Sequence, residues 1–95
     1  MIKSVTFLKA AISHYGGKKG AVAKALGVRH NALSNWLKRD HVSPAAAAKC
    51  AQIVGDDESF AEAIAGAETI EDENARNTVL KLLHKAFNRS FSEHD

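Results

Sequence analysis

A single cysteine, Cys50, stands in the chain, so no internal disulfide can staple it and a hydrophobic core has to hold the fold. No apolar run approaches the roughly 20 residues that span a bilayer. The first residues do not form a charged-then-apolar leader. These absences lead to the expectation of a cytoplasmic, nucleoid-associated protein. No stretch alternates apolar and polar residues with period two for long enough to make a strand, and no segment repeats. Metal chemistry lacks its usual pattern. His14, His30, His41, His84 and His94 show neither paired helical spacing nor a cysteine or acid at a fixed offset, so neither a metal site nor a cofactor is expected. Also missing are a phosphate loop, a Ser-His-acid arrangement on plausible elements and an apolar pocket framed by acids. An enzyme is therefore not expected.

Acid is nearly missing from one half of the chain. Residues 1–54 carry nine Lys or Arg and one acid, Asp40, a formal charge of +8. Residues 55–95 carry four Lys or Arg against ten acids, a charge of −6, so the net +2 conceals two halves of opposite sign. A basic half is the electrostatic footprint of a phosphate-binding surface, although lysines on solvated helix faces are common in any protein.

What the chain does contain is helix signal throughout, and 95 residues suffice for one domain with one modest core. Phe7, Leu8, Ala11, Ile12 and Tyr15 repeat at helical spacing and predict a first helix over 6–15, stopped by Gly16 and Gly17. A second helix is expected over 18–26 and a third over 30–39. Ser43 and Pro44 supply an N-cap and first-turn proline for a fourth, which Gly55 closes. Asp56 or Asp57 can cap a fifth, with Phe60, Ala63, Ile64 and Ala67 as its apolar face. Thr69 with Asp72 forms a capping-box pattern for a sixth helix, expected to reach Asn88. The acidic stretch 56–73 reads as a hinge before this last helix. Cys50 falls with Ala46, Ile53 and Val54 on the fourth helix, as a buried small hydrophobe or else a redox sensor.

Residues 19–38, KGAVAKALGVRHNALSNWLK, are the most informative segment. Ala23 is small enough for a second helix to cross closely. Gly27 can adopt the left-handed conformation that ends a helix and turns the chain. Val22, Leu26, Val28, Leu33 and Trp36 or Leu37 take the inward positions. Arg29, His30, Asn31, Ser34, Asn35 and Lys38 then point outward. Arg can donate two bonds to guanine, and Asn can pair with adenine. Lys18, Lys19 and Lys38 are suited to phosphates, which set register without reading sequence. A plain helical hairpin would also place a Gly at its turn. The conjunction of small residue, turn Gly, apolar register and acid-free outer face favours a DNA-binding helix-turn-helix.

The run HYGGKKGAVAKALGVRHNALSNWLKRDHVSPAAAAKCAQIVG, within residues 7–55, resembles the Cro and lambda-repressor-like helix-turn-helix regulators, particularly small phage Cro proteins and Cro-like antitoxins. The resemblance implies an all-α compact bundle of about five helices with a helix-turn-helix, plus a C-terminal helix. It also implies a repressor that binds operators as a dimer. Lys19 stands where the family commonly has Gln or Thr, and Arg29, His30 and Asn31 stand where Ser, Gln or Tyr are common, so no operator sequence carries over.

The chain thus divides into a helix-turn-helix core over 1–55 and an acidic helix with a C-terminal amphipathic helix over 56–95. Val79, Leu80, Leu82, Leu83, Ala86, Phe87 and Phe91 form an apolar band on the last helix. It can cover the core, or pair with a second copy through Val79, Leu80, Leu83 and Phe87. Three partners follow as expectations: an operator in double-stranded DNA, a homodimer and, in an antitoxin-like alternative, a toxin bound through the C-terminal half. No membrane is expected.

Overall fold

The structure is a computed structural model that describes residues 1–91; the fifth histidine, His94, lies outside the described residues. Among the described residues there are six α-helices: α1 (Ser4–His14), α2 (Lys19–Leu26), α3 (His30–Arg39), α4 (Pro44–Val54), α5 (Glu58–Ala67) and α6 (Glu73–Ala86). No strand occurs among the described residues. No helix there is long and apolar enough to cross a membrane.

Local chemistry explains where these helices begin and end. Gly27 closes α2 at φ 70°, with Val28 N–H donating to the Ala23 carbonyl and Gly27 N–H to that of Lys24. This left-handed stop satisfies carbonyls that a helix end would leave bare. α3 ends the same way on a non-glycine: Asp40 has φ 57°, and His41 N–H reaches the Trp36 carbonyl. Asp tolerates this region better than most side chains. The Asp57 side chain caps α5 by accepting from Phe60 N–H at 3.0 Å, while Glu58 adds a favourable charge at the helix start.

Several boundaries and roles differ from expectation. α1 starts at Ser4 rather than Thr6, because Ser4 is held from outside the helix by Glu68. Ser43 precedes Pro44 as expected, but its side chain makes no capping bond. The predicted capping box of α6 is replaced by a simpler cap: Asp72 is itself the N-cap, accepting from Ala75 N–H at 2.8 Å. Thr69 turns back to donate to the Gly66 carbonyl at the end of α5. α6 stops at Ala86, and Asn88 lies beyond it at φ 55°. The stretch 56–73 is not a hinge, because α5 lies within it and drives Phe60 and Ile64, both fully buried, into the centre of the molecule.

The core is built around α1, α4 and α5. Small residues allow these helices to approach closely: Ala11 on α1, Ala47 and Ala51 on α4, and Ala61 and Ala65 on α5 are all completely buried. α5 is packed on more than one side, so Ala61 and Ala65 are buried as well as the expected Phe60, Ile64 and Ala67, whereas Ala63 is only half-buried. Phe7 meets Phe60 edge-on at 6.1 Å, a favoured aromatic geometry. α2 and α3 add Val22, Leu26, Leu33 and Trp36; Trp36 is buried where Leu37 is only half-buried. α6 packs on α5 and adds Leu80 and His84.

Candidate functional site

The short turn 27–29 joins α2 to α3 and leaves one face of the pair open to solvent. On α3, Asn31, Ser34, Asn35 and Lys38 recur at three- and four-residue spacing and therefore share a face. Leu33 and Trp36 occupy the opposite side, in the core. His30 opens the helix and Arg29 is its N-cap, in extended conformation. Lys18 and Lys19 stand at the start of α2, with Lys18 as a cap that makes no side-chain bond. All eight of these side chains are exposed. Among the described residues, none is tied by its side chain to another group. No acid stands on α1, α2 or α3, so the cations on this face have no carboxylate neighbour within these helices.

The end of α3 is held by a polar clamp that the sequence did not reveal. Glu68 Oε2 accepts from Ser4 N–H at 2.8 Å. Glu68 Oε1 accepts from Ser4 Oγ at 2.5 Å and from His41 Nδ1 at 2.6 Å. Ser4 Oγ in turn accepts from Val42 N–H at 2.9 Å. Lys3 pairs with Asp40 at 2.8 Å, and the Asp40 carboxylate raises the Lys3 pKa by hydrogen bonding. These bonds tie the start of α1 to the α3–α4 turn and to the end of α5. A serine, a histidine and an acid, Ser4, His41 and Glu68, are thus brought together by the fold. The geometry is not that of a nucleophilic triad. A nucleophilic serine would donate to the imidazole, but Ser4 Oγ donates to the carboxylate and is completely buried.

A second buried polar group ties α6 to the N-terminal segment. His84 Nε2 accepts from Ile2 N–H at 2.9 Å, which leaves Nδ1 to donate to the Leu80 carbonyl at 2.6 Å. The pattern fixes the neutral tautomer protonated at Nδ1. Phe60 and Phe91 pack edge-on against the ring at 5.4 and 5.2 Å. Beside them, Arg89 lies over the Phe60 ring at 4.8 Å and pairs with Asp56. Among the described residues no cluster of His, Cys, Asp and Glu could hold a metal ion. Cys50 is fully buried, and desolvation pushes its thiol up to about 11, an environment that suppresses the reactive thiolate.

The apolar band of α6 is divided by the fold. Leu80 is core, only 4% exposed, and is thereby removed from the outward surface expected to include it. It lines a cleft together with Ile2 of the N-terminal segment. Val79, Leu83 and Phe87 are half-buried against the core, and Leu82 stands 59% exposed. No family model matches the chain, and comparisons with curated proteins and with solved structures found no match.

Proposed function

We propose that this protein is a sequence-specific DNA-binding transcriptional regulator that lays α3 in the major groove of an operator and binds as a homodimer. The observation that carries the reading is the exposed face of α3. Asn31, Ser34, Asn35 and Lys38, with Arg29 and His30 at its N-terminal end, are solvent-facing, free of acid and unused by the fold. Arg29 and the two asparagines supply base-reading chemistry, and Lys18, Lys19 and Lys38 supply phosphate contacts. Such side chains contribute little to stability, and their clustering on one short hairpin supports a recognition role.

The dimer rests on a revised seam. Val79, Leu82, Leu83 and Ala86 recur along one stripe of α6, next to the buried Leu80 and His84. Pairing across a two-fold axis would cover Leu82 and engage two half-sites, so that the second contact becomes intramolecular.

Selection from a randomised duplex pool, followed by fluorescence anisotropy, tests the reading. An enriched sequence and a steep salt dependence are expected. Arg29→Ala should weaken binding to the selected duplex by about 1–3 kcal/mol and relax one base position. Lys19→Ala should weaken all sequences alike and reduce the log–log salt slope by about 0.9. No enrichment, or affinity indifferent to salt, refutes the assignment. For the dimer, Leu82→Glu should yield a monomer in sedimentation with unchanged helical circular dichroism. A wild-type chain that stays monomeric both free and on DNA refutes that part alone.

A further inference from the structure

A cleft of about 500 Å³ opens where the end of α3 meets the N-terminal segment and α6. Ile2 and Leu80 give it an apolar wall, and the charged groups around it are unequally used. Lys3 and Asp40 neutralise each other across 2.8 Å. Glu68 is engaged by Ser4 and His41. Two guanidinium groups are left over. Arg76 donates Nη1 to the Ile70 carbonyl at 3.0 Å. Arg39, at the last position of α3, makes no side-chain bond, and neither arginine has a carboxylate partner among the described residues.

A guanidinium presents a planar fork of donors that matches a carboxylate. Two such forks lining one recess, beside an apolar wall, suit a ligand with one anionic end and a hydrocarbon body. The volume lies within the range of small-molecule sites. Phosphate has no hydrocarbon part and gains nothing from the apolar wall of Ile2 and Leu80. We propose that this cleft binds a small organic monocarboxylate, with Arg39 and Arg76 holding the carboxylate and Ile2 and Leu80 receiving the apolar body. Such a ligand bridges the end of α3 to α6. The site shares no residue with the open face of α2 and α3, so it stands or falls independently of DNA binding.

The test uses the isotopically labelled full chain without DNA, titrated by amide NMR with pentanoate, acetate, pentylammonium and inorganic phosphate. Saturable shifts confined to the amides around Arg39 and Arg76 are expected with pentanoate. Acetate should bind more weakly, and pentylammonium and phosphate should produce no saturable shift there. Arg39→Gln and Arg76→Gln should each weaken pentanoate by about tenfold or more, the loss typical of a charge-assisted hydrogen bond. Arg39 is exposed, so its variant keeps the test decisive if the Arg76 variant folds poorly. The proposal is overturned if pentanoate gives no saturable shift, if pentylammonium or phosphate matches it, or if Arg39→Gln binds it as wild type does.

Discussion

α3 and α5 are both ten residues long, yet they are spent in opposite ways. α5 buries Phe60, Ala61, Ile64, Ala65 and Ala67. α3 buries only Leu33 and Trp36 and gives most of its remaining surface to Asn, Ser, Lys, Arg and His. α5 lies between neighbours, and its many alanines let them come close. α3 touches the core along one narrow side and is fixed instead at its end, where Asp40, His41 and Val42 meet Lys3, Glu68 and Ser4. The contrast shows how a small domain can display a helix: the core positions it, while the displayed side chains remain unused by folding.

This contrast can be broken most strongly at Phe60. It is fully buried and meets Phe7, His84 and Phe87. Phe60→Ala should cost about 3–5 kcal/mol in urea unfolding, whereas Asn35→Ala on α3 should stay within about 0.5 kcal/mol of wild type. Equal losses would mean that α3 is not a displayed helix.

The clamp comes next. Glu68→Ala leaves Ser4 and His41 without their acceptor, and should cost about 1–3 kcal/mol. Glu68→Gln keeps one acceptor oxygen and should cost less. In the proposed DNA-binding role, both variants should also weaken operator affinity, although Glu68 lies away from the open face. Unaltered stability in Glu68→Ala would show that the clamp does not hold the end of α3.

A smaller effect than at the clamp is expected at Asp56, whose carboxyl lies below its ordinary pKa chiefly through its hydrogen bond from Arg89. A lowered folded-state pKa gives stability that is present above the unfolded value and lost as pH falls through the folded one. Asp56→Asn should therefore cost about 0.5–1 kcal/mol near pH 7, the upper range for a partly exposed pair. The difference from wild type should shrink once the pH drops below about 4. A deficit that persists in acid would assign the effect to packing rather than charge.

The legible parts of the fold were those written in short spans. Gly27 and Gly55 as left-handed stops, Pro44 at a helix start and the three- and four-residue spacing of Leu33 and Trp36 all act within a few positions, so the six helices follow from the chain read locally. The outward face of α3 was legible for the same reason, since helical periodicity alone puts Asn31, Ser34, Asn35 and Lys38 on one side. Pattern could not divide the apolar band of α6. Leu80 and Leu82 look alike in sequence, and only the packed neighbours decide that one is core and the other exposed.

The helical character, the opposed charges of the two halves and the composition of the α3 face were thus determined by the sequence itself, through backbone preference and periodicity. The tertiary structure alone decided the contacts that join distant positions: Ser4 with Glu68, Ile2 with His84 and Asp56 with Arg89. A buried polar group must find a partner wherever packing brings one, and that partner is chosen by the arrangement of helices in space, for which spacing along the chain carries no signal.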